Sequence, residues 1–207
     1  MKEILLVTNN QGKIERYRRI VKHIDKEIVL HTLNDLGIEK VDVAEDGTLE
    51  ENARKKALVY LGKTNLPILA NDAGIFVKGM GLVKNPKRIA LNSPEDNFTK
   101  EEIYDFVVNY WKDVATKNGG EVDATWVDAF AICMPDGTLY EEGARREIIL
   151  TNRILGESHI QFPIRALYIS KTTNKPAAAH TEEDELIEIQ PICSVFERLL
   201  KVIKQQS

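Results

Sequence analysis

Apolar positions in the first third of the chain switch between short unbroken runs and helical spacing. Ile4-Leu5-Leu6-Val7 is a run of strand length, and after the polar Thr8-Asn9-Asn10-Gln11-Gly12, residues Ile14, Tyr17, Ile20 and Val21 recur on one helix face. This predicts strand, glycine-containing polar turn and helix, an order that presents backbone N–H groups to a phosphate. Glu27 to Leu33 reads as a second strand, followed by an acidic loop from Val41 to Gly47. Thr48-Leu49-Glu50-Glu51 has the capping-box pattern, so a helix begins there, with Ala53, Ala57, Leu58 and Leu61 as its inner stripe. Pro67 to Ala70 is a short buried strand that ends in a turn at Asn71-Asp72-Ala73-Gly74, and Ile75 to Val77 resumes extended structure.

The segment from Lys78 to Asn97 carries glycines, prolines and Lys84, Lys87 and Arg88, and reads as a long loop or flap. A second capping box, Thr99-Lys100-Glu101-Glu102, opens a helix bearing Ile103, Phe106, Val107, Tyr110 and Trp111. Trp126 to Met134 and Leu139 to Leu150 flank Pro135-Asp136-Gly137, a hairpin pattern. A strand near Ala166 to Ser170, an acidic stretch from Glu182 to Glu188 and a helix through Val195, Leu199, Leu200 and Val202 complete the chain. The mixture predicts an α/β fold, with a long mixed sheet flanked by helices and shared by two lobes, over one domain spanning 1–207.

Composition narrows the function classes. With 43% hydrophobic residues in 207, the chain can bury a core and is not of the disordered class. A net charge of -4 argues against a nucleic-acid polymer as partner, though a few specific lysines can hold a compact anion. No run reaches the roughly 18 apolar residues of a membrane span. Met1-Lys2-Glu3 leads directly into a short strand instead of a signal peptide's apolar region, so a cytoplasmic protein without a membrane partner is expected. Cys133 and Cys193 are too few for a disulfide framework or zinc cluster, and are expected to be reduced and buried.

Three constellations carry candidate chemistry. Lys13, just inside a helix after a polar loop, can neutralise a phosphate while loop amides donate to it. Asn52 and Lys56 share one helix face, opposite Arg54. Asp72, where a buried strand ends, can hold magnesium or accept a proton from water. Each has a plain structural counterpart taken alone: a solvated loop, a lysine-rich helix surface, an ordinary Asp turn. The histidines His23, His31, His159 and His180 lie outside all three and read as surface or hydrogen-bonded structural residues.

Taken in order, the three resemble the inosine triphosphate pyrophosphatase family. Its Thr-x-Asn-x-Gly-Lys pattern is matched by Thr8, Asn10, Gly12 and Lys13. An acidic residue before Gly-Thr and then Glu-Asn-Ala-x-x-Lys-Ala is matched by Glu45, Gly47, Thr48, Glu51, Asn52, Ala53, Lys56 and Ala57, and Asp-Asp-Ser-Gly-Leu appears as Asn71-Asp72-Ala73-Gly74-Ile75. Order and spacing hold over roughly the first 80 residues. The resemblance implies a central nucleotide cleft, a homodimer, and Mg²⁺-dependent hydrolysis of a nucleoside triphosphate, most often a non-standard or modified purine, to monophosphate and pyrophosphate. It implies Glu45 and Asp72 as metal ligands, and Asp72, Lys13 and Lys56 as catalytic residues. Thr8, Asn9, Asn10, Gln11, Gly12, Lys13, Asn52 and Ala73 would bind substrate.

Later family motifs are replaced. Gly79 to Pro86 stands where a Gly-Gly-x-Pro-Gly-x-Tyr-Ser segment is usual; Phe162-Pro163-Ile164-Arg165-Ala166 replaces Phe-Gly-Tyr-Asp-Pro, and Pro191-Ile192-Cys193-Ser194 replaces Ser-His-Arg. The expectation is a retained triphosphate site with a rewritten base pocket, for which Arg165 and the Lys84, Lys87, Arg88 segment are candidate contacts. The alternatives are a catalytically silent nucleotide-binding or regulatory protein, and a different reaction on a nucleotide.

Overall fold

The computed structural model describes residues 2–84, 89, 91 and 97–205. The strands are β1 (Lys2–Val7), β2 (Ile28–Thr32), β3 (Ile68–Val77), β4 (Gly81–Lys84), β5 (Glu121–Cys133), β6 (Leu139–Thr151), β7 (Tyr168–Ser170) and β8 (Lys175–Pro176). The helices are α1 (Gln11–Ile24), α2 (Leu49–Leu58), α3 (Lys100–Lys117), α4 (Glu182–Glu188) and α5 (Gln190–Gln205). The strands form a mixed sheet in the order β2-β1-β3-β5-β6-β7-β8, with β4 pairing with β3 off that path. By contacts the chain divides into two compact units, one made of 1–72, 128–144 and 191–207, the other of 73–127 and 145–190.

In the first unit β1 pairs in parallel with β2 on one side and β3 on the other. Ile4 to Val7 are all buried, as an unbroken apolar run in a parallel sheet requires. The predicted face of α1, Ile14, Tyr17, Ile20 and Val21, is buried too. Tyr17 packs against Phe130 and Phe196 at ring-centroid distances of 5.7 and 5.3 Å, and the two phenyl rings lie 5.5 Å apart edge to face. Such pairs add about 0.5–1.5 kcal/mol each beyond area burial. Cys133 and Cys193 are buried free thiols, and burial pushes both above the ordinary thiol range, which keeps them protonated. The hairpin turns at Gly137, whose φ of +87° suits glycine.

Three predicted features of the first half are corrected. Helix α2 ends at Leu58, leaving Leu58 and Leu61 38% and 39% exposed. Tyr60 takes the inner position instead, and its hydroxyl accepts from Val41 N at 2.8 Å. Asn71 to Gly74 is not a turn but the middle of β3, which stays extended because it pairs with β1 up to Ala70 and with β4 from Gly74 onward. The Lys78 to Asn97 loop contains β4: a Cβ on Gly74 would lie 2.8 Å from Val83 O, so glycine permits this close antiparallel approach. Lys87 and Arg88 lie outside the described residues.

The second unit packs around Trp111, fully buried with Val107, Val108, Val114, Ile148, Leu150 and Leu167. The capping box at Thr99 and Glu102 forms as the sequence predicts. Trp111 therefore belongs to the core, while Phe106 on the same helix is 43% exposed, edge-on to Phe98. The strand predicted from Ala166 begins only at Tyr168, because Pro163 opens a 3₁₀ turn over Pro163–Leu167. The acidic stretch forms α4, where a Thr181–Asp184 capping box and carboxylates in the first turn match the helix dipole.

This unit also encloses a charged cluster. Glu188, 2% exposed, accepts from the Tyr168 hydroxyl at 2.9 Å and lies 3.5 Å from Arg146 Nη1 and 3.1 Å from His180 Nδ1. The Arg146 guanidinium stands over the Trp126 ring at 5.4 Å, and His180 Nε2 meets Thr173 Oγ1 at 2.9 Å. Burial first, then the Glu188 charge, pushes the Tyr168 phenol far above its ordinary value, so it remains a donor. Among the described residues no helix is long and apolar enough to cross a membrane.

Two outcomes follow for this unit, which holds both tryptophans of the chain. Glu188→Ala strips the carboxylate from a buried arginine, phenol and imidazole, and should cost about 3–5 kcal/mol in urea unfolding followed by tryptophan fluorescence. Asp184 is held at about 2, chiefly by the Lys175 ammonium at 2.8 and 3.0 Å and then by Thr181 N–H. Its folded value is depressed, so its contribution is complete above the unfolded value near 3.8 and is lost as pH falls toward about 2. An acid titration of Asp184→Asn should be correspondingly shallower across that window.

Candidate active site

The site is assembled within the first unit by the register of the parallel strands. Val7 at the end of β1 lies beside Ala70 on β3, so the loop that leaves β1 runs next to Asn71 and Asp72. That loop turns into α1 through Asn10, whose side chain accepts from Lys13 N at 3.1 Å while its own N–H donates to Thr8 Oγ1 at 3.2 Å. Asn10 is thus the helix cap, and the exposed Asn9, Asn10 and Gln11 with buried Gly12 surround the N-terminal amides of a 14-residue helix. From the first turn Lys13 reaches back across the strands, its Nζ donating to Asn71 Oδ1 at 2.7 Å.

Helix α2 supplies the second half. Thr48 caps it by accepting from Glu51 N at 3.1 Å, and Glu51 Oε2 accepts from Thr48 N at 2.7 Å. This fixes the rotation of the helix, and Asn52 and Lys56 then face Asp72 together. Asn52, wholly buried, donates from Nδ2 to Asp72 Oδ2 at 2.9 Å and accepts from Gly47 N at 3.1 Å. Lys56 Nζ lies 3.0 Å from Asp72 Oδ1 and 2.6 Å from Glu45 Oε1. A Cβ on Gly47 would lie 2.5 Å from Glu51 Oε2, so the acidic loop approaches the helix only because glycine stands there. On the opposite face Arg54 forms a two-pronged pair with Glu141 at 2.9 and 3.0 Å.

Electrostatically the site alternates sign. Desolvation lowers the Lys13 ammonium below the usual lysine range; Asp128 and Asp72 act against this, and Lys56 and Arg16 reinforce it. Asp128, 3% exposed on β5, is the group that sequence reading missed. Its signal was a lone carboxylate in the run Asp128-Ala129-Phe130-Ala131-Ile132-Cys133, where every other residue is apolar. Glu45 and Asp72 each turn an oxygen to Lys56 Nζ, whose ammonium fills the point where the two carboxylates converge. Among the described residues no cluster of three or more His, Cys, Asp or Glu forms a protein-only metal cage. Two carboxylates are a donor type that magnesium takes, its other ligands coming from water and phosphate.

Ala73 follows Asp72 along β3 and is half-buried. Arg165 belongs to the second unit, where its guanidinium donates to Ala177 O at 2.6 Å and pairs with Glu185 at 2.9 Å.

The sequence profile of the Ham1 family matches residues 4–162. Over 81 residues the chain is 35% identical to a dITP/XTP pyrophosphatase of Prochlorococcus marinus subsp. pastoris and 40% identical to one of Symbiobacterium thermophilum, in each case 39% of both chains. The matched part thus spans about two fifths of the length of these curated relatives. Among solved structures, a HAM1 protein from Coxiella burnetii superposes with a TM-score of 0.72 at 20% identity, covering 97% of this chain and 99% of that one. The Staphylococcus aureus Ham1 protein gives 0.68 at 22% identity, covering 95% and 98%. The fold is therefore that of the Ham1 structures.

Asn52→Leu, which keeps the branching at Cγ, removes a donor from buried Asp72 and an acceptor from Gly47 N–H. It should lower stability by about 1–3 kcal/mol in urea unfolding followed by circular dichroism.

Proposed function

The chain belongs to the Ham1 family, and from that premise we propose that it hydrolyses a nucleoside triphosphate, a non-standard or modified purine nucleotide, to monophosphate and pyrophosphate with Mg²⁺. The observation that carries this reading is the Glu45–Lys56–Asp72–Asn52 arrangement beside Lys13: two cations and two convergent carboxylates at the N-terminus of a helix, a setting for a polyphosphate and its counter-ion. The dITP/XTP pyrophosphatases that are 35% and 40% identical to this chain over 81 residues support it.

In this reading the amides and side chains of the Thr8 to Gly12 loop cradle phosphate oxygens, and Lys13 and Lys56 offset the charge that grows as the bond to pyrophosphate breaks. Asp72, its two oxygens fixed by Lys56 and Asn52, orients a water toward the α-phosphorus and takes up its proton. The water oxygen bonds to that phosphorus and the bridging oxygen leaves with pyrophosphate. Magnesium, held by Glu45 and Asp72, would polarise the phosphate oxygens. Ala73 and Arg165 belong to the same proposal as substrate contacts, Arg165 being paired with Glu185 in this structure. The homodimer belongs to the same proposal, and Phe106 is the exposed aromatic position on α3 that a partner can cover.

The test is a chromatographic screen of standard and modified nucleoside triphosphates with magnesium, with Asp72→Asn as control. Monophosphate and pyrophosphate should form with the intact chain and fall by about 10²–10⁴-fold in the variant. Magnesium-dependent binding with no product from any nucleotide would overturn the hydrolytic reading.

A further inference from the structure

Asn71 is 4% exposed in the middle of β3, and its side-chain amide is engaged at both ends. Nδ2 donates to the main-chain carbonyls of Asp72 at 3.1 Å and of Ala129 on β5 at 3.0 Å, while Oδ1 accepts from Lys13 Nζ at 2.7 Å. These partners admit one orientation of the amide. Turned over, it would set its oxygen against two carbonyl oxygens and its N–H groups against an ammonium. An amide fixed in this way to β3 and β5 presents its oxygen at a set place, and that place is where Lys13 ends.

Lys13 has the opposite character. Its half-buried side chain is a flexible stem leaving the first turn of α1, beside the N-terminal amides of that helix. A flexible cation serves a ligand best when its place is set before the ligand arrives. Lys56, the other lysine of the site, is set by ion pairs with Glu45 and Asp72. The oxygen that Asn71 gives Lys13 is neutral, so this bond places the ammonium and brings no further negative charge to a phosphate site.

We propose that Asn71 is a positioning residue for Lys13, its amide locked by two main-chain carbonyls so that its oxygen holds the ammonium ready for an incoming phosphate. Asn71 acts through Lys13 and does not touch the phosphate. The proposal rests on reading Lys13 as a phosphate contact, and its test is independent of turnover.

Binding of inorganic tripolyphosphate with magnesium is measured by isothermal titration calorimetry in the wild type, Asn71→Ala, Lys13→Met and the double variant. Asn71→Ala should weaken binding by about tenfold, the loss expected for one hydrogen bond to a charged group. Lys13→Met should weaken it at least as much, and the double variant should bind no more weakly than Lys13→Met alone, because Asn71 then has nothing to position. Losses that multiply in the double variant overturn the proposal, as does an Asn71→Ala or Lys13→Met that binds like the wild type, or a wild type that does not bind tripolyphosphate. A second readout needs no ligand: the rate at which a small acylating reagent modifies Lys13 at one fixed pH, followed by mass spectrometry. It should rise by about tenfold in Asn71→Ala, since an ammonium without its acceptor gives up its proton more easily. An unchanged rate in the folded variant also overturns the proposal. Should Asn71→Ala not fold, Asn71→Ser, whose hydroxyl can donate to one of the two carbonyls, takes its place in both measurements with the same outcomes expected. Non-additive losses in a chain that hydrolyses no triphosphate leave this inference standing and remove the hydrolytic one; multiplying losses in a chain that does hydrolyse one do the reverse.

Discussion

Asp72 sits 5% exposed in the middle of a strand, with one oxygen on Lys56 and the other on Asn52. A carboxylate at that depth is tolerable only with such donors in place, and most of the first unit's local design follows from supplying them. Both donors come from one helix and must face the same way, which the Thr48 capping box sets by fixing where α2 begins. The acidic loop must then run close against that helix to bring Glu45 to the far side of Lys56, and glycine at position 47 removes the Cβ that would collide with Glu51.

The parallel pairing of β1 with β3 brings the β1–α1 loop to this centre. Ligand sites in such sheets form where strands end and helices begin, because helix N-termini offer unpaired amides there. Here the end of β1 and the start of α1 lie next to Asn71, and Lys13 crosses to it. Carboxylates and ammonium groups therefore alternate across the site. That favours a ligand with several negative charges and a divalent counter-ion over a single neutral molecule.

The second unit handles buried charge differently. Glu188 is surrounded by Tyr168, Arg146 and His180, and Arg146 is covered by Trp126. The segment that stands where the family encloses its base, Phe162 to Ala166, runs into a 3₁₀ turn, and Arg165 within it is tied to Ala177 and Glu185. The residues that depart from the family pattern in this segment are thus engaged in the unit's own packing.

Much of the architecture was legible in the residues: β1 and α1 from a switch in hydrophobic period, α2 and α3 from their capping boxes, and the β5–β6 hairpin from Pro-Asp-Gly. The site was legible where chemistry is local, since Asn52 and Lys56 share a face by helix geometry alone. What sequence could not decide was set by partners distant in the chain. Asn71 to Gly74 reads as a turn by composition, yet extends because β1 and β4 pair on either side of it. Leu58 and Leu61 fit a helical stripe, but Tyr60 fills the interior instead. The link from Lys13 through Asn71 to the Ala129 carbonyl could not be read from spacing, because it forms only when β3 and β5 lie side by side. Local preferences depend on neighbours within a few residues, and the sequence carries those directly. The pairing of buried charges depends on which strands become neighbours, and only the folded sheet determines that.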